Sequence, residues 1–261
     1  MIANITKLSI AGLIAGGIGL ATASAWADEG RSQEEQGLGF SVGVGVWGVR
    51  NPMEGAKKEP ESGFFPYISY ENDWLSIDPS GAAVKVFGAE HFMVQGLVAP
   101  RWLLVDPKDS TIHNDLKRKS GVDLGARASV MAGPVMGSIE YRGDVSDRSN
   151  GHEVTGELGV EVDLPGNGSL GVKGGAYWRD SNLNTYLYGV YVDEARPDRP
   201  AYRIEEGFSP FAGLMLRYPV IDKVEVVMAS EVEFLPDRIT DSPIIARQIV
   251  PSAFIGMFYS F

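Results

Sequence analysis

The sequence predicts an all-β fold, an antiparallel transmembrane β-barrel of about twelve strands. Three observations predict it: an export signal at the amino terminus, an alternation of short and long interruptions between strands, and an aromatic terminal strand. Counting back from Phe261, alternate residues that include Tyr259 form one apolar face. An apolar strand at a chain end needs a pairing partner, which a closed barrel in lipid supplies. Tyr259 and Phe261 are therefore the candidate assembly signal.

The amino-terminal residues have the three parts of a secretory signal peptide. Lys7 is the only charge before Asp28, an apolar run occupies 10–21, and Ala25–Ala27 supply a small-x-small cleavage site. The apolar run is shorter than the roughly 20 residues that a spanning helix needs, which favours a cleaved signal over a membrane anchor. We therefore expect a cleaved signal peptide at 1–27, a short periplasmic segment at 28–36 and the barrel at 37–261.

Period-2 patterns bounded by Gly, Pro, Asn and Asp predict the individual strands. They lie near 37–50, 63–71, 74–79, 82–89, 94–105, 120–132, 134–146, 152–163, 168–179, 208–218, 222–235 and 251–261. If 74–89 is irregular, ten strands remain. The short connections are Asn72-Asp73, Glu90–Met93, Gly133-Pro134, Leu164–Asn167 and Pro219–Ile221; the long ones are Asn51–Ser62, Asp106–Lys119, Asp180–Gly207 and Pro236–Val250. Short periplasmic turns, long outer loops and two periplasmic termini are typical of an outer-membrane meander.

The two faces of the strands differ in polarity. In 152–163, Leu158 and Val160 lie on one face, whereas Glu157 and Glu161 lie on the other. A soluble lipocalin-like barrel would turn the apolar face inward, but export and the aromatic terminal strand favour the polar face inside. On this assignment the lumen is lined by Arg127, Glu140, Arg142, Glu157, Glu161, Lys173, Arg179, Arg217, Glu231 and Glu233. These charges either form cross-strand pairs that prop a narrow barrel or line a cation-favouring passage.

Composition excludes several functional classes. The chain has no cysteine and a net charge of −11, so it has no disulfide framework and lacks the clustered cations that bind nucleic acid. Its three histidines form no His-Glu-x-x-His motif, and no Gly-x-Ser-x-Gly elbow is present. We therefore expect no catalytic residue, no bound metal and no cofactor. The protein is expected not to be an enzyme.

The longest connection contains a candidate helix. Leu183 and Leu187 within 182–192 have helical spacing, and Asp180-Ser181 offers an amino-terminal cap. Arg196–Pro200 then interrupts regular structure. Apolar side chains in a loop need a packing partner, so the segment either folds over or into the barrel mouth or packs only on its neighbours.

Separated blocks along the mature chain carry a family resemblance. They are Gly39–Gly45, Phe65–Ile68, Pro100-Arg101, Asp144–Ser146 with Gly151-His152, Tyr188–Val190 with Glu194–Arg196 and Ala201-Tyr202, Ser242–Ile244 and Phe258–Phe261. In this order and spacing they resemble the MipA/OmpV family of MltA-interacting outer-membrane proteins. After the first strand, where members commonly show a Tyr-x-Gly-Ser-like step, this chain has Met53–Ala56.

The resemblance implies a barrel in the outer membrane of a Gram-negative bacterium, in contact with outer-membrane lipid. It further implies a non-enzymatic scaffold that brings a periplasmic lytic transglycosylase together with a murein synthase. A narrow cation-favouring channel, or a porin-like barrel that binds a small solute, is the alternative function that the charged lumen leaves open.

Overall fold

A computed structural model describes residues 39–57, 59–103 and 105–261. The predicted signal peptide, 1–27, and the periplasmic segment, 28–36, lie outside the described residues. The described residues form twelve antiparallel strands that close into one barrel in chain order, with the last strand beside the first. The predicted fold class is confirmed. None of the helices in these ranges is long and apolar enough to cross a membrane.

The strands and helices have the following bounds. The strands are β1 Gly39–Val49, β2 Glu61–Glu71, β3 Leu75–Asp78, β4 Gly81–Ala89, β5 Phe92–Arg101, β6 Gly121–Ala132, β7 Val135–Asp144, β8 His152–Leu164, β9 Gly168–Arg179, β10 Gly207–Ile221, β11 Val224–Phe234 and β12 Ile249–Ser260. The helices are α1 Ser181–Tyr188 and α2 Asp237–Thr240, and short 3-10 helices lie at Pro107–Asp109, Pro165–Asn167 and Val192–Glu194.

The two ends of the barrel differ in the length of their connections. At one end, here called the turn end, the strands are joined by 72–74, 90–91, 133–134, 165–167 and 222–223. At the other end, here called the loop end, the long connections are 50–60, 102–120, 180–206 and 235–248. The predicted alternation of short and long connections is therefore present.

Two predicted strand ends, those of the fifth and tenth strands, differ from the structure by three residues or more. The fifth short connection is Asp222-Lys223, because Lys223 adopts the left-handed backbone (φ 63°) that tightens the turn. The predicted turn, Pro219–Ile221, instead continues β10 through a register shift. β5 ends at Arg101 rather than near 105, because the chain leaves the ladder where the Trp102 indole N–H donates to the Pro79 carbonyl oxygen at 3.2 Å.

Burial alternates along the strands as a barrel with a lipid-facing outside requires. In β12, Met257 and Tyr259 are exposed, whereas Phe254 and Phe258 are buried. In β8, Leu158 is 68% exposed although its neighbour Glu157 is buried. The exposed side chains of these strands are mostly apolar, whereas Glu153 and Glu157 of β8 are buried, so the barrel has an apolar outer surface and charged side chains inside.

The seam between the first and last strands depends on glycine. Phe258 of β12 packs on Gly43 of β1, where an added Cβ would lie 2.5 Å from the phenylalanine ring. Gly45 accommodates Phe254 in the same way, and Phe258 also contacts Tyr67 edge to face, with ring centroids 4.9 Å apart. The terminal strand finds its pairing partner in the first strand, where Ser41 pairs with Ser260 and the ladder continues without a shift.

The hydrogen-bonded pairing of the barrel wall is least extensive where the β3–β4 hairpin meets β2. β3 has only four residues, and it pairs with β2 only at Tyr70 and Glu71. Over the rest of its length β2 pairs with β1 alone among the described strands. Pro66 lies in this part of β2, and proline is tolerated in a strand where one edge has no partner. The same proline discourages another strand from adding to that edge.

Candidate functional site

Five charged side chains from five strands form one chain across the lumen at the loop end. Arg101 lies between Asp123 and Glu153, with nitrogen–oxygen distances of 2.7 and 3.3 Å. Arg179 lies between Glu153 and Glu233, at 2.7 and 2.5 Å. All five side chains are at least nine-tenths buried, so each charge depends on its neighbours for compensation.

A second cluster lies deeper in the lumen, around Lys173. Its ammonium group lies 3.0 Å from Glu231 and 3.5 Å from Glu157. The Tyr177 hydroxyl donates to the other carboxylate oxygen of Glu231 at 2.7 Å. Gly213 of β10 leaves room for this cluster, since an added Cβ there would lie 3.1 Å from the Lys173 side chain.

A third cluster is centred on Glu140. Its carboxylate accepts from the Arg127 side chain at 2.6 Å and from Arg142 through the other oxygen. A cavity of about 20 Å³ beside these arginines is lined also by Asp78 and Ser80 at the tip of the short hairpin. A cavity of that size holds one water molecule rather than a solute.

The structure brings most of the predicted lining residues into these three clusters. Of the ten, Lys173 and Glu161 are half-buried as residues and the others are buried. Glu161 and Arg217 lie nearer the turn end, outside the clusters. Their role as the lining of a passage stays a prediction. The prediction did not include Arg101, Glu153 and Tyr177. Arg101 could have been found, because it lies an even number of residues from the buried Leu97 along β5 and therefore faces the same side of the sheet.

Apolar side chains form one core that runs from the loop end towards the turn end of the barrel. Strands contribute Val49, Tyr67, Val227, Phe254 and Phe258, and loops contribute Met53, Leu116, Val190, Ile204, Leu235, Ile239, Ile244 and Ile245. We call the four long loops, 50–60, 102–120, 180–206 and 235–248, the cover. Since loop and strand residues share one core, the cover extends into the barrel mouth.

The predicted helix anchors this cover. α1 begins after Asp180, whose carboxylate accepts from the Leu183 backbone N–H at 2.8 Å, and the predicted cap is therefore confirmed. Leu183 is fully buried, and the Thr185 hydroxyl exchanges hydrogen bonds with the backbone of Ile204. Of the two alternatives for this segment, the structure shows packing into the mouth.

Two arginine–carboxylate pairs join loop 102–120 to loop 180–206. Arg118 donates to both carboxylate oxygens of Glu194, one at 2.9 Å, and its guanidinium lies over the Tyr186 ring. Arg199 holds both oxygens of Asp115, at 2.8 and 2.6 Å. The hydrogen bonds from Arg199 lower the pKa of Asp115 to about 2. Burial alone would raise the pKa of Glu194, but Arg118 outweighs it and the pKa lies below its usual value.

One histidine is enclosed between these loops. His113 is 3% exposed, and neither ring nitrogen has a hydrogen-bond partner among the described residues. Its Nε2 lies 3.6 Å from the Glu54 carboxylate. Burial lowers the pKa of His113, and the positive charge of Arg199 lowers it further. Throughout the part of the chain that the structure describes, no group of three or more His, Cys, Asp or Glu side chains is placed to hold a metal ion.

Comparison with known proteins identifies the family. The family model described as MltA-interacting protein MipA matches residues 42–261. The outer membrane protein Omp26La of Vibrio anguillarum is 31% identical over 181 residues, covering 68% of this chain and 70% of the relative. The MltA-interacting protein of Escherichia coli K12 is 26% identical over 229 residues, covering 85% and 90%.

Among solved structures, the NanC porin superposes with a TM-score of 0.44 at 10% identity, covering 84% of this chain and 100% of that one. The family match spans every strand from β1 to β12, including the lumen clusters and the cover. The chain belongs to the MipA family and is an outer-membrane β-barrel.

Proposed function

We propose that this chain is a sealed outer-membrane barrel that serves as a platform for periplasmic enzymes of peptidoglycan synthesis and hydrolysis. The observation that carries the proposal is the filled lumen. Three ionic clusters lie along β5 to β9 and β11, and an apolar core shared with the cover lies along β1, β2, β11 and β12. A barrel filled in this way has its surfaces, rather than its interior, available for function.

The proposal orients the barrel with the turn end and both chain termini in the periplasm and the cover outside the cell. Long loops on the outer side and short turns on the periplasmic side are the rule for such barrels. A periplasmic partner would then meet only short turns, the barrel rim or the segment 28–36. The relative named MltA-interacting protein supports a lytic transglycosylase as one partner, and the family resemblance supports a murein synthase as another.

The competing function, a narrow cation-favouring channel or a solute-binding barrel, needs a continuous water-filled path. Apolar constrictions resist wetting and so stop ions. The core that joins Val190 and Ile204 of the cover to Phe258 of the wall is such a constriction. The filled mouth therefore favours the platform over the channel.

Co-purification tests the platform. The tagged barrel is expected to capture a lytic transglycosylase from detergent extracts of its own cells. Glu90→Lys reverses an exposed charge at the turn end and is expected to weaken that capture. Asp193→Lys, an equal change on an exposed residue of the cover, is the matched control and should leave capture unchanged. Recovery of no murein enzyme by the unmodified barrel would count against the platform.

Deleting Phe261 is expected to lower the yield of assembled barrel. The Phe261 backbone N–H donates to the Phe40 carbonyl oxygen at 3.1 Å, and its ring contacts Phe40 and Tyr259. The deletion removes the last bond of the closing seam and an aromatic residue at the membrane interface. The folded fraction can be measured by heat-modifiable gel migration of membrane fractions. Phe208→Ala, an exposed phenylalanine at the loop end, is the control and should assemble normally.

A further inference from the structure

The environment of His113 has charges of both signs from three loops. Its own loop contributes Asp115, which Arg199 holds. The loop 180–206 contributes Arg199 and Arg196, both of which oppose a positive charge on the imidazole. The loop 50–60 contributes Glu54, whose carboxylate favours a positive charge but is itself half exposed to solvent. The buried imidazole therefore lies between two cations, Arg196 and Arg199, and one partly screened anion, Glu54, whereas Asp115 is already paired with Arg199.

Neutral His113 fits this position better than charged His113. A buried cation is costly unless its partner is close and well aligned. The Glu54 oxygen, at 3.6 Å, is too distant for a hydrogen bond. Opening the cover would give the imidazole water and remove it from Arg199, so a proton on His113 favours the open arrangement.

We propose that His113 is a proton-sensitive latch of the cover: its protonation loosens loops 102–120 and 180–206 from the barrel mouth. The proposal rests on the sealed state described under the proposed function, but it does not depend on any murein partner. It makes the cover a closed plug at neutral pH and a mobile one in mild acid.

The direction of the pH effect follows from the pKa of His113 in the closed cover, which lies below the ordinary value of about 6.5. Above about pH 6.5 the imidazole is neutral in both the open and the closed cover, and the closed cover has its full stability. As pH falls below about 6.5, the open cover takes up the proton more readily, and the closed cover loses stability.

Asp115 and Glu194 do not contribute in the same window. Their pKa values lie below the usual carboxylate values, so both pairs with arginine remain ionised until the solution approaches about pH 4. The loss of these two ion pairs therefore does not explain a change between about pH 6.5 and pH 5.

Thiol labelling measures opening without relying on transport. The chain has no cysteine, so a single Ser242→Cys substitution gives one reactive group. Ser242 is 2% exposed, and its hydroxyl donates to the Tyr188 carbonyl oxygen, which ties loop 235–248 to loop 180–206 within the cover. Val192→Cys, at an exposed position of the same cover, reports the pH dependence of the labelling reaction itself. The labelling rate of the Ser242→Cys variant divided by that of the Val192→Cys variant, in lipid nanodiscs, is expected to rise several-fold from about pH 7.5 to about pH 5.5.

Two further variants test the assignment to His113. His113→Gln cannot take a proton and is expected to abolish the rise. Glu54→Gln removes the carboxylate that faces the imidazole Nε2 and is expected to enlarge the rise, which keeps the test decisive if the glutamine variant of His113 does not fold. A flat ratio in the barrel with native His113, or an equal rise in His113→Gln, would overturn the proposal. Neither result would bear on the capture of murein enzymes.

Discussion

A barrel that lacks residues 183–200 is expected to conduct ions steadily across a planar bilayer, whereas the full-length barrel is expected to show no steady conductance. The deletion removes Val190, a member of the apolar core at the mouth, and Tyr188, which packs against that core. The rest of the core then lacks its packing partners from this segment, so hydrated ions are expected to pass beside the polar clusters more easily than through the intact core. With the half-buried Glu161 and Glu225 included, carboxylates outnumber bases among the lumen-facing strand residues, so the conductance is expected to favour cations.

The deletion leaves the wall intact. Arg179 and Gly207 pair directly, so residues 180–182 and 201–206 suffice to connect β9 to β10. Val192→Ser, a change at a residue that is 85% exposed, is the matched control and should remain silent. Equal conductance before and after the deletion would show that the segment does not seal the barrel.

Arg179→Met is expected to destabilise the barrel by about 3–5 kcal/mol, the usual cost of removing one member of a buried charge network. Arg179 is fully buried and is held by Glu153 and Glu233, and its guanidinium lies 4.7 Å from the centre of the Tyr177 ring. Without it, the buried Glu233 carboxylate loses its arginine partner. The free energy of unfolding can be measured by urea titration in lipid vesicles.

Two comparisons separate loss of charge balance from loss of packing. Arg148→Met changes an exposed arginine of the loop between β7 and β8 and should cost little. Adding Glu153→Gln and Glu233→Gln to Arg179→Met removes the uncompensated carboxylates and is expected to restore most of the lost stability. If the triple variant were no more stable than Arg179→Met alone, packing rather than charge would explain the loss.

The barrel could be predicted from sequence because its strands obey a local rule. In β8 and β12, alternate residues face lipid and the lumen, so the pattern depends only on position along the strand, and each strand repeats it. One error occurred where a tertiary contact decides the outcome, and the other where the backbone conformation of a single residue does. The end of β5 depends on Trp102 meeting Pro79, and the turn at Lys223 depends on one left-handed residue.

The candidate site was less accessible to sequence reasoning. The alternation predicts which charges share a face, but the partners come from strands distant in the chain, as when Arg101 meets Glu153. The apolar core of the cover was harder still, because loop residues such as Ile204 and Ile239 follow no period. His113 gave no signal at all, since its burial depends on how three loops fold together.

The glycine–phenylalanine fit at the seam bears on how the barrel folds. Pairing of β1 with β12 joins opposite ends of the chain, and such non-local contacts form late because chain entropy must be lost first. A late step is also the one most exposed to misregistration. Gly43 and Gly45 accept Phe258 and Phe254 without steric conflict, whereas a one-residue slip would place these rings against valine. The pairing expected to form last is therefore one whose register is set by a specific fit between rings and glycines.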